Sequence, residues 1–327
     1  MKSPIAHRQP PIVLVTGGAG FIGSHLVERL LADGHAVVVV DDLSTGSLEN
    51  LRAVRAHPKL RVIQAKISTC AELPELVAQA ESVFHLAAAV GVELVVQSPI
   101  HVIESNLRET EVLLRAAAPH GVPVLLTSTS EVYGKSRKAE FGEDDDLLIG
   151  PPNHSRWSYA CSKLLDEFLV LAYAKEKALP VVIARLFNTV GPRQTGRYGM
   201  VLPRFIATAK ANAPLKVYGD GDQTRCFCFV SDTVEALVRL QNLPAARGEI
   251  FNIGGTEETS IRELAEKVIG ALGSQSETKL VPYAAAYSPG FDDMRRRKPR
   301  VEKLAQAIDF FPATSLQKII ELTAAAQ

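Results

Sequence analysis

Tyr159 and Lys163 stand four residues apart in Tyr159-Ala-Cys-Ser-Lys163, which puts a phenol and an ammonium on one face if the segment is helical. A cation beside a tyrosine lowers the phenol pKa, so a phenolate can take the proton of an alcohol while hydride leaves the same carbon. Alone, such a pair is usually exposed and inert. Here it follows, by one strand–helix unit, the segment Thr127-Ser128-Thr129-Ser130-Glu131-Val132-Tyr133-Gly134, a predicted strand ending in hydroxyls and a carboxylate.

The hydride acceptor is suggested near the start of the chain. Val13 to Ser24 places Gly17, Gly20 and Gly23 directly after a predicted strand and at the mouth of a helix. Glycines there permit a tight turn and let a pyrophosphate approach backbone N–H groups at the positive helix end. The next strand ends in Asp41-Asp42, where an acidic side chain accepts both ribose hydroxyls and repels a 2′-phosphate, so NAD is favoured over NADP. Without the glycine loop, Asp41 would read as a turn residue or a helix cap.

The elements that must hold these groups alternate. Apolar runs at Ile12 onward, Ala36 to Val40, Leu60 to Gln64, Ser82 to Leu86, Val122 to Ser128 and Val181 to Phe187 read as strands. Helical patterns at Ser24 to Ala32, Ile100 to Ala118 and Tyr159 to Lys177 lie between them, which predicts an α/β fold with a Rossmann-like doubly wound parallel sheet. After about Gly191 the rhythm loosens around Pro192, Gly196, Gly199, Pro203, Pro214, Gly219 and Gly221, predicting a smaller C-terminal substrate-binding lobe. The division expected is 1–190 for the dinucleotide domain, with a returning segment near 225–255, and 191–327 mainly for the lobe. Cys226 and Cys228 fall in an alternating run that reads as one strand, and Arg295 to Lys298 reads first as solvated surface.

Composition narrows the partners. Lysines plus arginines and aspartates plus glutamates balance at 36 each, so no global field draws nucleic acid or an anionic membrane. The 46% hydrophobic content suffices for a large core, yet no run approaches the ~18 apolar residues of a membrane span. Met1 to Pro11 lacks the apolar run of a secretory signal, which makes the cytoplasm the expected compartment. The four cysteines and eight histidines have neither disulfide nor metal-ligand spacing, so no metal is expected.

Taken together, the glycine loop, His85-Leu-Ala-Ala, Ser128-Thr-Ser-Glu-Val-Tyr-Gly134, Tyr159 with Lys163, and Arg185-Leu-Phe-Asn-Thr-Val-Gly-Pro-Arg193 resemble the extended short-chain dehydrogenases that modify nucleotide sugars, the NAD-dependent epimerase/dehydratase family. Gly150 to Lys163, Asp220 to Phe227 and Gly290 to Pro299 are most similar to UDP-glucuronate decarboxylases of the UDP-xylose synthase and polymyxin-resistance types. The resemblance implies a UDP-sugar substrate and a reaction that begins by oxidising C4. Thr129 would hydrogen-bond the C4 hydroxyl, and Tyr159 with Lys163 would deprotonate it. The C5 carboxylate is then β to a ketone and can leave as carbon dioxide, with Ser130, Glu131 and Arg297 beside it.

Cofactor residues implied are Gly17, Gly20, Phe21, Ile22, Gly23, Asp41, Asp42, Ser44, Thr45, Ile67, Leu86, Ala87, Ala88, Tyr159 and Lys163. Substrate residues implied are Arg156, Asn188, Arg225 and Arg297, since guanidinium and amide donors suit carboxylate and phosphate oxygens. One departure is Lys66-Ile67, where the family usually shows an Asp beside the adenine; Ile67 would still pack on the ring. A 4-epimerase or 4,6-dehydratase shares the first oxidation, but Ser130 stands where dehydratases typically carry an aspartate, and Glu131 leans towards decarboxylation. A nucleotide-sensing protein without catalysis is disfavoured by the intact Thr129, Tyr159 and Lys163. Apolar faces on the helices around Ile100 to Ala118 and Tyr159 to Lys177 imply a homodimer, as relatives pair such helices.

Overall fold

The computed structural model describes residues 11–196, 200–286 and 294–327. Met1 to Pro10, Gly199 and the Gly290 to Asp293 part of the decarboxylase-like segment lie outside the described residues.

Strands β1 (Ile12–Thr16), β2 (Ala36–Asp41), β3 (Leu60–Gln64), β4 (Ala80–His85), β5 (Val124–Thr129) and β6 (Val181–Leu186) form one parallel sheet. Short strands β7 (Thr189–Val190), β8 (Leu215–Tyr218), β9 (Thr224–Cys226) and β10 (Cys228–Phe229) follow, then β11 (Glu249–Ile253), β12 (Glu258–Ser260) and β13 (Thr278–Val281). β11 returns to the sheet beside β6, giving seven strands in the order β11-β6-β5-β4-β1-β2-β3. The order reverses between β1 and β4, and a crevice at the carboxyl ends of the strands opens there.

Burial on both faces explains the nearly unbroken apolar strands. Val13 and Val15 of β1 point to one face, where helices α1 (Phe21–Ala32) and later α7 (Val230–Gln241) pack, while Leu14 points to the other. That second face is covered by α2 (Leu73–Gln79), α4 (Pro99–Ala117) and α5 (Trp157–Lys177), with the short α3 (Val92–Gln97) leading into α4. Among the described residues no helix is long and apolar enough to cross a membrane.

The loose C-terminal rhythm conceals regular structure. α6 (Val201–Lys210), α8 (Ile261–Leu272) and a helix at Leu316–Ala325 share a separate apolar cluster around Phe205, Leu264 and Ile319. α8 starts with a full capping box between Ser260 and Glu263. The single strand expected through Cys226 and Cys228 is instead two: β9 pairs with β12, and β10 pairs with β7. The break falls at Phe227, whose carbonyl oxygen would lie 2.2 Å from any Cβ added to Gly255. Burial pushes the Cys226 and Cys228 thiols up to about 12, which keeps both protonated and unreactive.

Candidate active site

β5, α5 and the segment Met294 to Arg300 converge on one cavity. Lining it are Glu131, Arg156, Tyr159 and Arg297 at one end, Asn188 and Arg225 further along, and Val90, Gly91 and Val95 on the wall. Thr129 closes β5, and its hydroxyl accepts from the Glu131 N–H at 3.2 Å, which caps the short helical turn Ser130–Tyr133. The same hydroxyl lies beside the Tyr159 phenol and acts to lower its pKa. Ser130 is buried and does not line the cavity.

Tyr159 and Lys163 share a face of α5, as their spacing predicts, but the electrostatics differ from expectation. The Tyr159 pKa is raised, first by burial and then by the carboxylates of Glu131 and Asp166, with Thr129 and Arg297 acting in the opposite sense. Lys163 is only 2% exposed, and its ammonium donates at 2.9 Å to Asp166. The lowering expected from the lysine is therefore outweighed in this state of the protein.

The carboxylate end is compact. Arg297 donates from Nη2 to Glu131 Oε1 at 3.1 Å, and Arg156 Nη2 lies 3.9 Å from the same oxygen. Every cation of the basic run has its own acid: Arg295 meets Asp220, Arg296 meets Glu258 and Lys298 meets Glu140, at 2.6–2.7 Å. The run is thus a clasp in which Arg297 lines the cavity and Lys298 is half-buried, while Arg295 and Arg296 stay exposed as a solvated stretch does. Asn188, held at φ 31°, donates to the Cys226 carbonyl at 3.0 Å, and Arg225 donates to the Met294 carbonyl at 2.8 Å.

Cavity residues that the sequence did not single out include Met200, Val201, Arg204, Tyr218, Gln223, Ile261 and Tyr283. The Arg204 guanidinium lies 4.4 Å from the Tyr218 ring centre. Gln223 sits inside the Asp220 to Phe227 motif and was the most accessible of these to sequence reasoning.

At the crevice, Gly17 has φ 72°, and a Cβ there would meet the Ala87 backbone nitrogen at 2.7 Å. A Cβ on Gly23 would lie 2.1 Å from the Gly17 carbonyl oxygen, so the loop closes only with glycine at both places. Gly20 caps α1, and Phe21 and Ile22 open it. The Asp41 carboxylate accepts from the Ala19 and Leu43 amides at 2.9 and 2.8 Å, and burial raises its pKa. Those bonds fix it beneath the glycine loop with lone pairs left for hydroxyl donors. Asp42 accepts from Ser44, and Ser44 and Thr45 are exposed.

Leu86, Ala87 and Ala88 leave β4 across from the loop, with the Leu86 amide donating to the Thr16 carbonyl at 3.1 Å. Ile67 is 2% exposed and sits in the apolar core with Leu14 and Val40, so it presents little surface to a ring.

The family model described as NAD dependent epimerase/dehydratase family matches residues 13–254. A UDP-N-acetyl-alpha-D-glucosaminuronate decarboxylase of Bacillus cytotoxicus is 43% identical over 311 residues, covering 95% of each chain. UDP-glucuronic acid decarboxylase 6 of Arabidopsis thaliana is 34% identical, covering 95% of this chain and 87% of its own. The structure of UDP-glucuronic acid 4-epimerase from Bacillus cereus, in complex with UDP-glucuronic acid and NAD, superposes with TM-score 0.84 at 29% identity, covering 96% of this chain and 98% of that one.

Proposed function

Since the chain belongs to the NAD dependent epimerase/dehydratase family, we propose that it is a decarboxylase of a UDP-linked uronic acid, converting UDP-glucuronate to UDP-xylose or to a UDP-4-keto-pentose. The observation that carries this reading is the placement of two arginines, Arg156 and Arg297, with Glu131 at one end of the cavity beside Tyr159. Guanidinium pairs suit a substrate carboxylate, which neutral hexoses lack.

NAD fits the crevice: the Gly17–Gly23 loop leaves a cradle that Cβ atoms would fill, and Asp41 stands ready for the ribose. Bound NAD supplies a reversible acceptor for the hydride of C4. Thr129 and Tyr159 hold the C4 hydroxyl, and Tyr159 takes its proton. In the resulting 4-ketone the bond from C5 to the carboxylate carbon breaks, carbon dioxide leaves, and the electron pair becomes an enolate. Protonated Tyr159 and the Thr129 hydroxyl hydrogen-bond the enolate oxygen while C5 takes up a proton and the ketone re-forms. For the pentose product the hydride then goes back to C4 as Tyr159 gives its proton to that oxygen. Arg156 and Arg297 orient the departing carboxylate, and Glu131 is placed to carry the proton that C5 takes up. Asn188, Arg225 and Arg204 offer donors to the diphosphate. Incubation with UDP-glucuronate and NAD tests the reading: carbon dioxide release supports it, and inversion at C4 without mass loss would mean a 4-epimerase.

A second reading concerns the sugar. The cavity that holds Tyr159 and the arginines is also lined by Val90, Gly91 and Val95, an apolar stretch with no side chain at Gly91. Such a stretch suits the acetamido group of the acid named for the Bacillus cytotoxicus relative. Comparing kcat/KM for the two UDP-uronates decides between them.

The assembly is proposed to be a homodimer. Ile100 and Ile103 on α4, and Leu165 and Phe168 on α5, are 43–71% exposed on adjacent helices, an apolar face of the kind that a partner copy covers. A monomer mass by light scattering would contradict it. All four cysteines are free thiols, which supports a reducing, cytoplasmic location.

A further inference from the structure

Beneath Tyr159 lies a run of buried polar groups that the reaction above does not use. Lys163 Nζ donates to Asp166 Oδ2 at 2.9 Å, and both residues are shut off from solvent. The Thr110 hydroxyl lies beside the same carboxylate and donates at 2.9 Å to the Asn106 carbonyl. Its oxygen is 3.0 Å from His85 Nε2, and His85 Nδ1 is 2.7 Å from the Thr16 hydroxyl, at the end of β1 directly before Gly17. The adjacent acid, Glu167, turns away to Arg185 and Ser128 at 2.8 and 2.5 Å. Two neighbouring carboxylates on α5 therefore have separate tasks, and only Asp166 serves the lysine.

We propose that Asp166 is a positioning residue that sets how tightly Tyr159 holds its proton, by pinning the Lys163 ammonium through the 2.9 Å ion pair and balancing its charge. A buried lysine without a counter-ion would favour the phenolate strongly. Paired, it contributes less, and the phenol survives until substrate is in place. The charges acting on Tyr159 are Glu131 from the end of β5, Arg297 from the clasp and Asp166 from its own helix, and Asp166 holds Lys163. Asp166 in turn faces Lys163, the Thr110 hydroxyl and Glu167. His85, held at about 3 by burial, is neutral and adds no charge.

The proposal rests on Tyr159 as the proton acceptor but not on the identity of the sugar, so it is tested without substrate. In the full NAD-bound chain, tyrosinate absorbance belonging to Tyr159 is isolated by subtracting the spectrum of Tyr159→Phe. Asp166→Asn should make that absorbance emerge about one pH unit lower than in the unsubstituted protein. Loss of the nearby negative charge acts in this direction. With a uronate substrate, the pH midpoint of turnover should move the same way while KM stays within about twofold. An unmoved tyrosinate titration overturns the proposal. If Asp166→Asn does not fold, Asp166→Glu decides: a longer carboxylate keeps the charge but moves the ammonium, so the tyrosinate midpoint should shift, by less than in Asp166→Asn. An unmoved midpoint there overturns the proposal; failure of the substrate reading alone would leave the spectral shift intact.

Discussion

Arg297 donates at 3.1 Å to Glu131, across 166 residues of sequence, and so ties the clasp to the end of β5. The pair puts a cation and a carboxylate next to Tyr159 without either carrying the C4 oxidation. Arg297→Ala should therefore separate the two halves of the reaction. Reduced NAD should build up while carbon dioxide release falls by about 100-fold or more, the usual cost of losing one stabilising donor in a reaction centre. Stopped-flow absorbance against carbon dioxide capture makes the comparison, and a parallel fall in both steps would assign Arg297 to binding alone.

Tyr159→Phe removes a proton acceptor and little volume. Turnover should fall by about 10³-fold or more, while NAD affinity, read by fluorescence quenching, should change little. Turnover near that of the unsubstituted protein would show that another group takes the C4 proton.

The site is held from behind by the Glu167 to Arg185 ion pair, in which both side chains are 3% exposed. Arg185 also donates to the Tyr133 hydroxyl at 3.0 Å, and Tyr133 donates to Asn252 at 2.8 Å, linking β5, β6 and β11. Glu167→Gln leaves a buried guanidinium without its counter-charge and should cost about 3–5 kcal/mol in urea unfolding. A loss under about 1 kcal/mol would mean that the network relaxes around the change.

His85 gives the fold an acid limit. Burial lowers its pKa to about 3, while in the unfolded chain it titrates at the ordinary 6.5. Below pH 6.5 the unfolded chain takes up a proton that the folded one refuses, so the stabilising contribution is complete above 6.5 and drains away towards 3. The slope from this group approaches about 1.4 kcal/mol per pH unit. Urea unfolding from neutral to mildly acid pH should show a shallower loss in His85→Gln than in the unsubstituted chain.

Much of this was legible in residue order. The strands of the sheet announced themselves because burial on both faces demands apolar runs, and the glycine loop because only glycine fits against Ala87 and under Gly17. The pairing of Tyr159 with Lys163 followed from helical spacing. What stayed hidden depended on distant partners. Lys163 and Asp166 are three apart, but nothing local says that both are buried, and burial reverses the expected effect on Tyr159. The run through Cys226 to Phe229 alternates like one strand, yet it changes ladders at Phe227, with β9 pairing to β12 and β10 to β7, partners that lie far off in sequence. Helices α6 and α8 were obscured by the Pro and Gly residues around them, although their apolar faces meet in a core. Within Arg295 to Lys298 the exposed Arg295 and Arg296 match a solvated run, whereas the burial of Arg297 against Glu131 depends on a partner 166 residues away.

The central claim is decarboxylation, and the mass of the product tests it most directly. After incubation of the purified protein with UDP-glucuronate and NAD, the nucleotide sugar should be lighter by one carbon dioxide, with a further loss of two hydrogens if the keto-pentose is released. A nucleotide sugar of unchanged mass, inverted at C4 by NMR, would contradict the account and remove the roles given to Glu131 and Arg297.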